Sequence, residues 1–206
     1  MVDLFLGPNH DVEFIRNDPE THVVTPQEIA TFIMQDEIVA VYNGRSEAGP
    51  RALGNRSILY DPRDNNTKET INKVKKREKF RPFAAAVMLE HANDWFDMGR
   101  LERSPTMSYC VDAREEVYDK IPGVLHVDHT CRVQTVEKNI PHLYEVIEEF
   151  YRYTKVPMVL NTSFNLAGEP LVETPDDAID CFNRSDIHVL WFPQVRRMYK
   201  KSSIGD

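Results

Sequence analysis

Four short apolar runs that each stop at a polar or glycine turn constrain this chain most. "EIVAVYNG" (37–44), "FAAAVM" (83–88), "VPMVLNTSF" (156–164) and "IHVLWF" (187–192) are rich in β-branched and aromatic residues and lack polar/apolar alternation, the pattern of strands buried on both faces. Three further runs, "RSILYD" (56–61), "TMSYCVDA" (106–113) and "TCRVQTV" (130–136), also read as strands. Between them lie helical stretches. "TPQEIATFIMQ" opens with Thr25, Pro26 and Glu28, and "ETPDDAIDCFNRS" with Thr174, Pro175 and Asp177, both capping boxes with proline at the first helical position. "IPHLYEVIEEFYRYT" is an amphipathic helix, and "NTKETINKVKKRE" (66–78) predicts a basic one. The loop from Asn93 to Pro105 reads as polar and irregular. Strands alternating with helices predict an α/β domain on a mixed, mostly buried sheet.

A length of 206 residues suits one domain, or one domain with an extension. Residues 1–24 and the tail "KKSSIGD" read as loose ends. With 41% apolar and 28% charged residues the composition is that of a folded domain, and no apolar run approaches the roughly 20 residues that span a bilayer. The start, "MVDLFLGPNHDVEF", lacks the basic residues and long apolar core of a secretory signal, so the expectation is a cytoplasmic protein with no membrane partner. Cys110, Cys131 and Cys181 are odd in number and in no CxxC pair, which predicts reduced core thiols rather than disulfides or zinc ligands.

The net charge of −8 hides an uneven distribution. Residues 45–81 hold 11 Lys and Arg against 5 Asp and Glu, whereas the rest of the chain holds 14 against 28. A basic island in an acidic chain suits a small anion in a cleft better than a polynucleotide, which the remaining charge would repel. Within the island, "GRSEAGPRALGNRSIL" (44–59) spaces Gly44, Gly49 and Gly54 among Arg45, Arg51 and Arg56. Glycines permit turns and close backbone approach, and guanidinium forks match phosphate or carboxylate oxygens. The loop follows a strand, where α/β folds place ligands. It is neither a Walker A loop nor a GxGxxG turn. The same residues equally suit a structural clamp in which Glu47 neutralises one arginine and the others tie loops together.

Further candidates are more ambiguous. "KKREKFRPFA" spaces Lys75, Arg77, Lys79 and Arg81 two apart, so an extended backbone would put Lys79 and Arg81 on one face. Arg132 lies on a strand among apolar neighbours and needs an anion, whether a core carboxylate or a ligand. Asn161, Thr162, Ser163 and Asn165 close a strand in a turn that suits a ribose, a carbonyl or a phosphate, and equally an ordinary turn. His126, Asp128 and His129 read as hydrogen-bonded loop residues rather than a metal set. No Ser/His/Asp or Cys/His pattern stands out, so the chemistry favoured is positioning and charge neutralisation on phosphate.

Four stretches in this order, "GRSEAGPRALGNRSILYDPR", "INKVKKREKFRPFAAAV", "HVDHTCRVQTV" and "VLNTSFNLAGEPLVETPDDAI", closely resemble the carboxyl-terminal half of the O-carbamoyltransferases that modify nodulation factors and aminoglycoside or cephalosporin antibiotics. The resemblance spans residues 4 to 193. It implies a YrdC-like domain over residues 25–200, a twisted mixed β-sheet flanked by helices with a basic concave ligand face. "FLGPNH" within residues 1–24 resembles the family's inter-domain junction. The implied reaction converts ATP and carbamoyl phosphate into carbamoyl adenylate, with Mg²⁺ held mainly by nucleotide phosphates. The implied partner is a separate actin-like transferase domain that binds a metal and passes the carbamoyl group to a hydroxyl acceptor. Carried over by position, Lys75, Arg81 and Arg132 become catalytic, with Arg51 completing the anion-binding set. Asn161 and Ser163 become polar contacts to the ligands, and Arg45, Glu47 and Arg56 part of the same loop wall. Ala85 and Ala86 stand where the family pattern has Pro and Ser, a change expected at the pocket edge. Two other readings remain: an anion or nucleotide-binding module without turnover, and a YrdC-like RNA-binding protein, against which the acidity outside the island argues.

Overall fold

The computed structural model describes residues 4–201, and its architecture is one mixed sheet with helices packed on it. The strands are β1 (His22–Val23), β2 (Val39–Tyr42), β3 (Arg56–Tyr60), β4 (Ala84–Met88), β5 (Phe96–Asp97), β6 (Tyr109–Ala113), β7 (Thr130–Val136), β8 (Met158–Ser163), β9 (Val189–Phe192) and β10 (Arg197–Lys200). Among the described residues they form one ten-stranded sheet in the order β1-β10-β9-β2-β3-β8-β4-β7-β6-β5. Only β9 with β2 and β4 with β7 pair in parallel; the remaining neighbours are antiparallel. The central strands β2, β4 and β9 are buried along their whole length, as uninterrupted apolar runs require, and β3 is equally buried although it opens with Arg56 and Ser57.

The helices are α1 (Pro26–Met34), α2 (Thr67–Val74), α3 (Ala92–Trp95), α4 (Pro141–Thr154) and α5 (Pro175–Asn183). Both expected capping boxes form: the Thr25 hydroxyl accepts from Glu28 N and the Thr174 hydroxyl from Asp177 N, with each carboxylate returning to the cap amide. α1 packs on α4, α4 on β8 and β4, and α5 on β9 and β2. The apolar stripe of α4, Leu143, Val146, Ile147 and Phe150, is completely buried. α4 ends at Lys155, whose left-handed backbone (φ 63°) stops the helix and turns the chain into β8.

Three expectations change. The basic helix stops at Val74 instead of continuing to Glu78, because Lys76 adopts φ 52° and breaks the helical path. The segment from Asn93 to Pro105 is not wholly irregular, since the end of α3 and the edge strand β5 fall within it. Residues before 25 are not loose where described: Val12, Ile15 and Val24 join the core, and β1 pairs with β10. At the other end Lys200 belongs to β10 and Lys201 donates to Phe182 O, while 202–206 lie outside the described residues. Of the cysteines, Cys131 and Cys181 are buried free thiols, but Cys110 is exposed on β6 rather than in the core.

Phe150→Ala removes the largest side chain of the α4 stripe and is expected to cost about 3–5 kcal/mol. Urea unfolding should then show a lower midpoint at an unchanged slope.

Candidate functional site

The glycine loop between β2 and β3 is built around one buried cation. Arg56 opens β3 and is fully buried, with no carboxylate in hydrogen-bond contact. Its Nη1 donates to Asn43 O (2.8 Å) and Asn55 O (3.1 Å), its Nη2 to Gly44 O (2.9 Å) and Glu173 O (3.1 Å). The guanidinium lies 3.6 Å above the centre of the Tyr42 ring, and the Tyr42 hydroxyl donates to Glu173 O. Burial lowers the Arg56 pKa, so the four carbonyls and the aromatic face must replace water around the charge. Glu47 is buried beside it, and its Oε1 accepts from Leu53 N (2.7 Å), Asn55 N (2.8 Å) and Arg56 N (3.1 Å). Arg45 donates to Leu6 O and Gly7 O. All three side chains of the expected loop wall are thus engaged by the chain's own backbone: Arg45 and Arg56 tie segments together as in the clamp reading, but Glu47 binds backbone amides instead of an arginine side chain.

Arg51, in contrast, is exposed at the rim of a cleft, between Gly49 (φ 117°) and Gly54 (φ 122°). At Gly54 a side chain would also crowd Leu143, with Cβ 3.0 Å from Cδ2. Two adjoining cavities make up the cleft. One of about 90 Å³ is lined by Arg51, Arg77, Ala84, Met107, Arg132, Asn161, Thr162 and Ser163, among others. The other, about 370 Å³, is lined by Lys75, Lys76, Arg77, Glu78, Arg81, Ser163, Asn165 and the turn that follows. Arg77 and Ser163 belong to both. Of the side chains lining the two, six are basic and only Glu78 is acidic, so a ligand that neutralises this cleft must bring negative charge.

The break after α2 organises the basic side. Lys75, the residue that caps α2, is turned inward and is almost completely buried, while Lys76 is exposed. Lys75 Nζ donates to Ser163 O, to Ser163 Oγ (3.1 Å) and to Asn165 Oδ1 (2.9 Å). None of these acceptors is charged, and burial, reinforced by Arg77, pushes the ammonium down to about 7. Arg77 is half-buried, lies over Phe83 and donates from Nε to Asn72 Oδ1 (2.7 Å); burial first and then Arg81 lower its pKa to about 10. Asn72 is itself buried and donates to Lys79 O and Arg81 O, fixing the turn. Neither Arg77 as a cleft residue nor Asn72 as its holder was singled out from sequence, although Arg77 sits in the same alternating series as Lys75 and Arg81.

Lys79 and Arg81 do not share a strand face, because the strand begins only at Ala84. Lys79 pairs with Glu69, and Arg81 Nε pairs with Glu78 (2.8 Å) at the rim. Arg132 is half-buried on β7, its Nε buried without a hydrogen-bond partner, and both burial and Arg51 lower its pKa. Asn161 Nδ2 donates to Gln134 Oε1 (2.8 Å) and Ala52 O (3.3 Å), joining β8 to β7 and to the glycine loop. Ala85 and Ala86 are completely buried in β4 and line neither cavity, so the expected change at the pocket edge is absent.

His126 and His129 do not converge. His126 Nδ1 lies near Thr130 Oγ1 (3.0 Å) and Cys110 Sγ (3.6 Å), whereas His129 stacks on Tyr118. Among the described residues no cluster of three or more His, Cys, Asp or Glu is arranged to hold a metal ion, and no helix is long and apolar enough to cross a membrane.

Sheet order and cleft together define a YrdC-like α/β domain. Full-length HypF, solved in a phosphate- and nucleotide-bound form, superposes with a TM-score of 0.58 at 18% identity, covering 81% of this chain and 24% of that one. Escherichia coli YciO gives 0.57 at 12% identity, over 93% of this chain and 84% of its own, and Pyrococcus abyssi Sua5 complexed with L-threonine gives 0.55 at 15%, over 81% and 46%. At these identities the likeness is one of fold. The chain belongs to the carbamoyltransferase family, since residues 30–198 match the family described as Carbamoyltransferase C-terminus. Nodulation protein NolNO of Sinorhizobium fredii is 46% identical over 161 residues, covering 77% of this chain and 24% of its own. Nodulation protein NolO of Bradyrhizobium diazoefficiens is 43% identical over 161 residues, with 77% and 29% covered, and the uncharacterized protein sll1178 of Synechocystis is 34% identical over 223 residues, with 92% and 36%. The chain thus spans between about a quarter and just over a third of the length of these relatives.

Two outcomes follow. Arg56→Met leaves four carbonyls without their donor and is expected to cost about 3–5 kcal/mol, read as a lower urea midpoint. Lys75 must be charged to attract an anion, and its free-state pKa lies near 7, so affinity should fall as pH rises through that value. Sulfate, whose own charge is constant over the range, is the probe: calorimetry from about pH 6 to pH 9 should show weakening, with proton uptake on binding above pH 7. Lys75→Met should flatten the profile.

Proposed function

We propose that this chain is the adenylating part of a carbamoyltransferase, binding carbamoyl phosphate and ATP in the Lys75–Arg132 cleft and forming carbamoyl adenylate. The observation that carries this reading is the group of cations around the Ser163 turn, with Glu78 the only carboxylate among the lining side chains. Water cleaves carbamoyl phosphate into carbamate and inorganic phosphate. A carbamate oxygen then attacks the α-phosphorus of ATP, and pyrophosphate leaves. Apart from water, every species in this sequence is anionic, and bringing carbamate and ATP together requires positive charge fixed in advance.

In this reading Lys75, held by Ser163 and Asn165, acts as a point charge on phosphate oxygens, and Arg77 supplies a fork held by Asn72 and Phe83. Arg51 and Arg132 both line the narrower cavity, and Arg81 lines the wider one. Asn161 ties the Arg51 loop to β7 and β8, while the Ser163 hydroxyl lies within reach of an oxyanion. The cleft does not fit a metal held by protein ligands, because Glu78 is already paired with Arg81. Mg²⁺ would arrive on the triphosphate, its ligands being phosphate oxygens and water. Transfer to a hydroxyl acceptor is assigned to a separate actin-like domain, consistent with the greater length of the relatives.

Pyrophosphate release by the purified chain with ATP and Mg²⁺ is expected only when carbamoyl phosphate is present, and Arg132→Ala should reduce it by about a hundredfold or more. Binding of both ligands without release would favour a module that needs its partner domain for turnover. Retention of RNA at moderate salt, with no response to carbamoyl phosphate, would favour the RNA-binding reading.

A further inference from the structure

The amino-terminal segment crosses the glycine loop like a strap. Gly7 N donates to Ser46 O (3.2 Å), Ala48 N donates to Leu4 O (2.8 Å), and Phe5 forms an antiparallel bridge with Glu47. Arg45 adds two bonds from the loop side, Nε to Gly7 O (2.6 Å) and Nη2 to Leu6 O (3.2 Å). The fit is close, since a Cβ at Gly7 would lie 1.9 Å from Ser46 Oγ. Below the strap, Leu4 and Phe5 pack against Leu53, Ala84 and Met107. Ala84 and Met107 also line the narrower cavity beside Arg51 and Arg132.

The strap therefore touches both feet of the turn that carries Arg51. One foot is Ser46–Ala48, bonded directly; the other is Leu53, which packs under the strap and whose amide is held by Glu47. Between them the turn passes through Gly49 (φ 117°), whose side-chain position is open space, and is tied to the sheet by Asn161 Nδ2 on Ala52 O (3.3 Å). Arg51 and Arg132 carry like charge and line the same small cavity, so a freely hinged turn would favour Arg51 farther from Arg132. Holding the guanidinium over the cavity before any anion arrives requires something to fix the turn's feet.

We infer that residues 4–7, locked by Arg45, are a positioning element that holds Arg51 against the repulsion of Arg132, so that the strap sets the anion affinity of the cleft. The inference rests on reading the cleft as an anion site. Arg45 acts through the turn, not on the ligand: it donates to the strap's carbonyls and lines neither cavity. Pre-ordering of this kind raises affinity by removing the ordering cost from the binding step.

The test is a double-mutant cycle on the full chain, with inorganic pyrophosphate as the calorimetric probe. Arg45→Ala is expected to weaken binding by about tenfold, with circular dichroism unchanged. In an Arg51→Ala background the same substitution should have no further effect. Equal losses in both backgrounds, or no loss in the first, would overturn the proposal. Gly7→Ala, which drives the strap off Ser46 from the other side, should reproduce the Arg45→Ala result. Hydrogen exchange of the amides of Gly49 and of 51–53 without ligand should accelerate in both variants, while β3 and β8 keep their protection. Unchanged exchange at 49–53 overturns the strap; accelerated exchange in a protein whose wild type binds no pyrophosphate overturns the anion reading and leaves the strap standing.

Discussion

The loop end of the sheet depends on a buried guanidinium whose hydrogen bonds go to main-chain carbonyls, with the nearest carboxylate, Glu173, 4.0 Å away. Arg56 gathers the end of β2, the start of β3 and the approach to α5 by donating to carbonyls of Asn43, Gly44, Asn55 and Glu173, with the Tyr42 ring beneath it. A buried arginine is costly unless its donors are satisfied, and here four main-chain oxygens from separate segments accept from Nη1 and Nη2, while the buried Nε has no hydrogen-bond partner. The charge thereby enforces a geometry: each segment must be present and correctly placed or the cation is stranded. Glu47 performs the complementary task, offering one carboxylate oxygen to three consecutive parts of the loop. Arg56 and Glu47 hold the base of the glycine loop from inside while residues 4–7 cross it from outside, and the turn around Arg51 projects.

On the other side of the cleft the logic is inverted. Lys75 and Arg77 are held by neutral groups and an aromatic face, Arg132 Nε is buried without a hydrogen-bond partner, and burial first, then neighbouring cations, lower the proton affinities of all three. These cations sit beside strands whose apolar residues are fully buried in one core, so their unbalanced charge is a cost set against that packing. The Ser163–Asn165 turn is the physical link, since it accepts the buried lysine and also lines both cavities.

Much of the framework was legible in one dimension. Runs such as "EIVAVYNG" and "FAAAVM" are too short and too apolar for anything but interior strands, and the threonine boxes at Thr25 and Thr174 fix two helix starts by local hydrogen bonding. The failures have a shared cause. The basic helix runs short because the backbone turns left-handed at Lys76, just after Lys75 turns inward to Ser163 and Asn165, a contact between residues far apart in the chain. Lys79 and Arg81 separate because nearby glutamates capture them. Residues before 25 join the core through pairing with β10 at the far end of the chain, which no local pattern encodes.

Composition and order alone determined that the chain carries a concentrated basic island, three loop arginines and a polar turn after a buried strand, all on an α/β scaffold. Those are properties of residue type and spacing, which local sterics and hydrophobic periodicity make readable. Only the tertiary structure decided which cations face a cleft and which serve the fold. Arg45 and Arg56 sit in the same short motif as Arg51, yet their donors end on backbone carbonyls while Arg51 stays open. The reason is that a charge's role depends on which partners reach it first, and those partners, Leu6, Gly7 and Glu173, come from distant parts of the chain.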